Sequence, residues 1–184
     1  MYKLLKEAFR TGNVTVRYPF APLPAAPNFR GKPHYEPEQC IACAACTIAC
    51  PANALTMSND VAAGTRTWEI CFGRCVFCGR CEEVCPTQAI VLSPEFEMAV
   101  LDRADLYQTA EFTLASCRNC ATPFAPRKEI DYVVALLVNA GLPEADAERR
   151  RAMLEVCPAC KRHSEVVREA GSSGSGWHQI GVTP

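Results

Sequence analysis

The stretch CIACAACTIACPANALTM at residues 40–57 recurs as CVFCGRCEEVCPTQAIVL at 75–92. All four cysteines, the proline and one alanine coincide at an offset of 35 residues. Each copy reads C-x2-C-x2-C-x3-C-P. Three cysteines at two-residue gaps let a loop wrap one face of a cuboidal iron–sulfur cluster, with backbone N–H groups free to point at the sulfurs. In runs of this spacing the fourth cysteine ligates the neighbouring cluster. The spacing therefore assigns one 4Fe–4S cluster to Cys40, Cys43, Cys46 and Cys85, and a second to Cys75, Cys78, Cys81 and Cys50. Zinc sites also use C-x2-C pairs, but they do not require four cysteines in eleven residues, repeated and each followed by proline.

Around the motifs the sequence predicts an α+β fold: a bacterial-type two-cluster ferredoxin domain over 34–115, with an extended N-terminal arm and a small C-terminal module. The residues 54–57 and 66–70 are expected to pair as a hairpin across a polar link at 58–65, and 89–92 is the matching strand after the second motif. The fourth cysteine of each copy is expected to begin a short helix ended by Pro51 or Pro86. Ala42, Ala44, Ala45 and Gly79 leave room for inorganic sulfide and close backbone approach. Little apolar sequence surrounds the motifs, so the clusters are expected to supply much of the folding free energy. Cys71 reads as a buried or strand cysteine rather than a ligand.

Composition narrows the class. The chain has 184 residues, thirteen of them cysteine. The N-terminal MYKLLKEAFRTG has neither the apolar stretch nor the cleavage site of a secretory signal, so thiolate ligands are expected rather than a disulfide framework. No apolar run is long and uninterrupted enough to span a membrane, so a soluble or peripheral protein is expected. With 19 basic and 20 acidic residues there is no overall field that would point to nucleic acid. The balance is uneven, however. Residues 1–32 carry six cations against Glu7 alone, whereas residues 35–116 carry eleven acids and four bases.

The basic arm, residues 1–33, has two parts. Leu4, Leu5, Ala8 and Phe9 fall at helical spacing among Lys3, Lys6, Glu7 and Arg10, which suits a short amphipathic helix lying on a membrane surface, on a membrane subunit, or on its own domain. The following PFAPLPAAPNFRGKP is too proline-rich for a helix or central strand and reads as an extended strap.

Beyond residue 116 a second cysteine set appears. Cys117 and Cys120 form one C-x2-C pair, and Cys157 and Cys160 form another after 36 residues. Two such pairs predict a tetrahedral thiolate site for one Zn2+, structural in role, or for a rubredoxin-type iron that would add a redox centre. His163 reads as a surface residue. Between the pairs two helices are expected. The first carries Ile130, Val133, Val134, Leu137 and Val138 on one face and stops at Gly141; the second runs from Pro143 to Val156 with Met153 and Leu154 turned inward. This module spans 116–165, and 166–184, with its GSSGSG run, is expected to be a helical end and a flexible tail.

The segments TGNVTVRYPF at 11–20, NFRGKPHYEPEQCIACAACTIACPANAL at 28–55, CVFCGRCEEVCPTQAI at 75–90 and SPEFEMAV at 93–100 resemble the two-cluster ferredoxin subunit of membrane-bound group 4 NiFe hydrogenases, of the formate hydrogenlyase subunit 6 and hydrogenase-4 type. That family is related to subunit I of NADH–quinone oxidoreductase. The added four-cysteine module is more like the hydrogenase branch. The resemblance implies a peripheral arm on the cytoplasmic face of the bacterial inner membrane. Electrons would arrive from a formate dehydrogenase or ferredoxin-like subunit and leave for the small and large hydrogenase subunits. A subunit I-type relay in a quinone-reducing complex and a free ferredoxin are the alternatives. No nucleophile, substrate pocket or open metal position is evident, so an electron carrier without catalysis of its own is expected.

Overall fold

The computed structural model describes residues 2–12 and 14–164; the expected helical end and flexible tail at 166–184 lie outside them. The two halves of the cysteine repeat fold alike. Helix α1 covers Tyr2–Thr11 and strand β1 Pro33–Tyr35; the first motif then gives the one-turn helix α2, Ala45–Ala49. Strands β2, Leu55–Asp60, and β3, Thr65–Cys71, form the expected hairpin, longer than the sequence suggested, with its turn at 61–64. Its polar end is held by its own side chains: Asn59 Oδ1 accepts from Arg66, and Asp60 Oδ1 accepts from the Ala63 amide. The second motif gives α3, Arg80–Val84, and β4, Ile90–Leu92.

Strand β4 pairs with β1 in the register Pro33↔Leu92, His34↔Val91 and Tyr35↔Ile90. The β2–β3 hairpin repeats that register, with Met57↔Trp68 and Leu55↔Ile70. The end of the proline-rich segment is thus a strand of the body that carries the cysteine loops. Gly31 and Lys32 extend the contact, their amides donating to the Ser93 and Glu95 carbonyls, and Lys32 O accepts the Ser93 amide at 3.0 Å. Phe29 meets Phe96 edge-on, and Tyr18 lies against the same ring.

The expectation that each fourth cysteine begins a helix is corrected. Helix α2 ends before Cys50, and α3 ends before Cys85; both cysteines are extended, at ψ 110 and 113. Pro51 and Pro86 are the cause, because the ring of a proline disfavours helical backbone at the residue before it.

The hairpin does not end the sheet. Strand β5, Tyr107–Ser116, pairs with β3 from Thr65↔Thr113 to Cys71↔Tyr107, and β6, Pro123–Pro126, pairs with β5, giving the order β2-β3-β5-β6. Alternate residues of β5 point inward, Phe112 and Leu114 most completely. Helices α4, Arg127–Asn139, and α5, Glu144–Leu154, follow as the expected helical pair. On α4 Ile130 and Val134 are buried, and Gly141, at φ 93, stops the helix in the left-handed region. Met153 is not turned inward: it is 68% exposed. Helix α5 buries Ala147, and at about 100° per residue Leu154 lies on that face whereas Met153 is turned away from it.

The core is small and lies beside the cysteine loops. Trp68, Ile70 and Ile90 are fully buried, with Tyr35, Leu55, Phe72 and Phe112 around them, and Cys40, Cys46, Cys50 and Cys85 pack against this group. Among the described residues no helix is long and apolar enough to cross a membrane.

Gly31 is where the strap comes closest to the body: a Cβ there would overlap the backbone of Glu95 and Ser93, which has no room to yield. Gly31→Ala is therefore expected to destabilise the fold by about 1–3 kcal/mol and to expose the strap. Thermal melts and limited proteolysis of residues 20–30 check this; an unchanged melt and cleavage pattern would contradict the contact.

Candidate metal centres

Each cysteine loop is built by backbone that side chains avoid. Ala42 and Phe77, Ala44 and Gly79, and Asn53 and Gln88 all have positive φ, and each pair is separated by the repeat offset of 35. Left-handed residues turn amide N–H groups toward the loop's concave side, and the sulfurs collect them. Ala42 N donates to Cys40 Sγ at 3.3 Å, and Phe77 N donates to Cys75 Sγ at 3.4 Å. At the fourth positions Ala54 N and Ala89 N donate to Cys50 and Cys85 Sγ, both at 3.2 Å.

The loops enclose two cavities of matching size. The structure brings Cys40, Cys43, Cys46 and Cys85 together around the first, and Cys75, Cys78, Cys81 and Cys50 around the second. The remaining walls are almost wholly apolar: Ile41, Met57 and Ile90 at the first, Leu55, Ile70 and Leu92 at the second. The extended fourth cysteines are what cross over. Each loop is also braced by one guanidinium on a backbone carbonyl: Arg66 on Ala42 O at 2.8 Å, and Arg30 on Cys78 O at 3.1 Å.

Desolvation dominates the thiol chemistry. Burial pushes the Cys40, Cys46 and Cys75 thiols up, and Cys81 up to about 11. Cys85 goes the other way: burial would raise it, but N–H and hydroxyl donors from Thr87, Ile90 and Ala89 prevail. Buried thiols of this kind become thiolates when a cation arrives to share the charge. A four-thiol, apolar, amide-lined cavity fits a 4Fe–4S cluster, whose sulfurs need such donors, and a dry cavity with no oxygen ligand suits no hard cation.

The C-terminal cysteines form a third group. Cys117, Cys120, Cys157 and Cys160 have their sulfurs within 4.8 Å of one another. The Cys120–Cys157 separation is 3.8 Å. A tetrahedron with metal–sulfur bonds of about 2.3 Å has edges of about 3.8 Å, so the group needs little adjustment to take one ion. Asn119 N donates to Cys117 Sγ at 3.4 Å and Cys160 N to Cys157 Sγ at 3.4 Å, so each pair carries its own turn of amides. Cys157 N crosses over to Cys117 Sγ at 3.3 Å and, with further donors, pushes that thiol down to about 6. Thr122 lowers Cys120, whereas the neighbouring sulfurs raise Cys160 to about 12. Thiols pushed this far apart share protons until a metal displaces them. The Arg118–Glu155 ion pair, 2.6 Å, and the Arg118 N to Glu155 O bond join the two turns. His163 is exposed and outside the group.

Cys71 closes β3 and stands outside all three groups, with the Tyr107 hydroxyl beside it. The sequence reading had no place for β5, β6 or the two arginine braces. The alternation in QTAEFTLA could have shown β5; the braces have no local signal, because Arg30 and Arg66 lie 48 and 24 residues from their acceptors.

Residues 39–89 match the sequence profile of the 4Fe-4S dicluster domain. Over 167 residues the chain is 51% identical to formate hydrogenlyase subunit 6 of Escherichia coli (strain K12), covering 91% of this chain and 92% of that one. It is 44% identical over 98 residues to NAD(P)H-quinone oxidoreductase subunit I of Prochlorococcus marinus (strain AS9601), half of this chain and 47% of the other. A chain of the membrane-bound sulfane sulfur reductase, an archaeal respiratory membrane complex, superposes with a TM-score of 0.41 at 29% identity, over 55% of this chain and 58% of that one.

For the third group, Cys157→Ser is expected to remove essentially all of the one bound metal ion and to lower the melting temperature, leaving iron and labile sulfide at the cysteine loops unchanged. Metal analysis of the purified chain checks it, and one ion per chain retained by the variant would contradict the site.

Proposed function

This chain belongs to the formate hydrogenlyase subunit 6 family, a member of which it matches over nine-tenths of its length, and we propose that it relays single electrons through two 4Fe–4S clusters inside a hydrogenase complex. Cys40, Cys43, Cys46 and Cys85 would hold one cluster, and Cys75, Cys78, Cys81 and Cys50 the other. When bound, each cluster supplies a one-electron couple. The observation that carries this reading is the crossed arrangement: each cavity takes three sulfurs from one motif and its fourth from the other.

The protein's own contribution is to bind and to bias. The eight cysteines would fill all eight ligand positions of two such clusters, leaving no iron open for a substrate, and no residue is assigned a catalytic role. Apolar walls keep water from the sulfurs. Inward amides stabilise the more negative, reduced state without giving up a proton, so the chain's residues neither gain nor lose hydrogen as the electron passes.

The donor in this reading is a formate dehydrogenase or ferredoxin-like subunit, and the acceptors are the small and large subunits of a NiFe hydrogenase. The complex lies on the cytoplasmic side of the membrane. The arm, residues 1–33, would dock the chain on a membrane subunit or on the membrane surface. Helix α1 supports this: every one of its residues is exposed, Tyr2, Leu4, Leu5 and Phe9 among them, with lysines and an arginine alongside. The four-cysteine group would hold Zn2+ as a structural clamp, since it lies in a sheet and helix unit that has few other buried side chains.

Cys43→Ala is expected to leave the C-terminal metal in place, to reduce iron and sulfide content by about half, and to bring formate-driven hydrogen evolution to background. Full hydrogen evolution by that variant would remove the relay role. Deleting residues 2–16, which stops short of the strap's contacts with the body, is expected to release the protein from membranes with both clusters intact; membrane fractionation decides it. Copurification with a hydrogenase large subunit, against a quinone-reducing complex, separates the two relay settings.

A further inference from the structure

The two cysteine loops repeat each other in backbone, in amide-to-sulfur bonds and in arginine braces. What they do not repeat is a pair of aromatic residues. Among the described residues, two buried side-chain polar atoms have no hydrogen-bond partner: the Tyr35 hydroxyl and the Trp68 indole nitrogen. The two rings stack on each other, 3.7 Å between centroids and 13° from parallel, with Trp68 0% and Tyr35 5% exposed. A buried donor left unpaired is destabilising, and a phenylalanine at either position would avoid that cost.

What each donor faces is sulfur. The Tyr35 hydroxyl lies beside Cys40 and the Trp68 indole beside Cys46, neither within the range of a formed bond. Both cysteines line the first cavity, and Tyr35 is part of its wall. A neutral thiol is a weak acceptor; the negatively charged sulfur of an iron–sulfur cluster is a far better one.

The second cavity has no counterpart. At the repeat offset of 35, Tyr35 corresponds to Ile70 and Trp68 to Pro33. The strand registers agree, since Tyr35↔Ile90 matches Ile70↔Leu55 and Met57↔Trp68 matches Pro33↔Leu92. Ile70 and Pro33 line the second cavity, and neither side chain has a proton to donate. The backbone and arginine contributions balance across the halves, two amides to sulfur in each copy and one guanidinium on each loop, and the Thr87 hydroxyl, 3.7 Å from Cys85 Sγ where the other copy has Ala52, adds one more donor on the first side.

We propose that Tyr35 and Trp68 donate hydrogen bonds to the Cys40 and Cys46 sulfurs of the cluster in the first cavity, and so make it the higher-potential cluster of the two. Reduction adds one negative charge to a cluster, and a donor on its sulfurs stabilises the reduced form more than the oxidised one. The step is a pure electron transfer: no bond to hydrogen breaks, and both donors keep their protons. An electron shared between the clusters therefore rests at the first. Tyr35 and Trp68 act here as positioning and tuning residues for the relay, and the inference rests on the two-cluster reading above.

The test uses the full chain, purified anaerobically with its clusters, as wild type, Tyr35→Phe, Trp68→Phe and Cys43→Ser. Iron and labile sulfide are counted, and EPR-monitored redox titration reads the two potentials. Each phenylalanine variant keeps a ring and removes one donor. The expected result is full iron and sulfide, with the reduction equilibrium of one cluster weakened about tenfold (59 mV for one electron) and the other unmoved. The shifted wave should be the one that Cys43→Ser alters. If Tyr35→Phe holds both clusters and shifts neither potential, or shifts only the wave that Cys43→Ser leaves alone, the proposal fails while the relay reading stands. Tyr35→Phe suffices for this even if Trp68→Phe does not fold. A wild-type chain with no labile sulfide would overturn both readings.

Discussion

A proline follows the last cysteine of each motif, and that restriction shapes everything around it. The residue before proline is pushed out of the helical region, so Cys50 and Cys85 leave their one-turn helices in extended backbone. An extended cysteine at that point faces the other loop's cavity rather than its own. Each half is then incomplete without its partner. The strand that follows each crossing, β2 or β4, runs straight into the sheet pairings that fix the two halves against the same core. That core is thin. A fully buried large side chain contributes about 1.5–3 kcal/mol, and ordering each residue's backbone costs about 1–2 kcal/mol. Such a core cannot by itself order two irregular loops rich in positive φ, and ligands that join the loops are the natural complement.

The second organising contact is the sheet edge at β3. A ferredoxin hairpin would leave that edge open to solvent and to pairing with other chains. Here β5 covers it along seven residue pairs and carries the chain to Cys117, so the four-cysteine unit grows from the ferredoxin sheet instead of hanging from a linker. Helix α4 closes the connection. Lys128 donates to the Pro37 and Glu38 carbonyls just before the first motif, both at 3.2 Å, and lies over the Phe112 ring. Glu129, its carboxyl raised by burial and held back by the nearby Arg66, sits beside the brace on the first loop. Exposed ion pairs such as Arg80–Glu83 are worth at most about 1 kcal/mol, so the joint depends on the sheet and on these carbonyl contacts.

The cysteine spacing made the two loops, their α+β surroundings and the third thiolate group legible in the sequence, because ligand spacing is local. Proline chemistry was legible too, but its consequence was read in the wrong direction: Pro51 and Pro86 end helices by denying them the preceding cysteine, and the helices lie before the fourth cysteine, not after it. Strand β5 is masked in the sequence because its inward Ala110, Phe112 and Leu114 are interleaved with Thr109, Glu111 and Thr113 in a polar stretch. Nothing local marks Pro33–Tyr35 as a strand; it is one because β4, 55 to 59 residues later, offers it an edge. Met153 and Leu154 are adjacent and both apolar, and only the phase of α5 set by the buried Ala147 tells that Met153 faces out.

The repeat also explains why function cannot be read from the motifs alone. Beyond the cysteines, the proline and one alanine, what the two copies share is backbone: matched left-handed residues, matched amides on sulfur, matched extended cysteines. Such features make two equivalent sites, and equivalent sites give an electron no preferred direction. Difference enters through side chains brought from outside the motifs. Arg30, from the strap, holds the second loop, so the arm is tied to that site. Arg66, Lys128 and Glu129 gather at the first loop, so the C-terminal unit is tied to the other. Tyr35 and Trp68 lie on the first side as well. The chain is symmetric where it must bind two copies of one cofactor, and asymmetric wherever it meets something else, which is what a directional carrier requires of a duplicated fold.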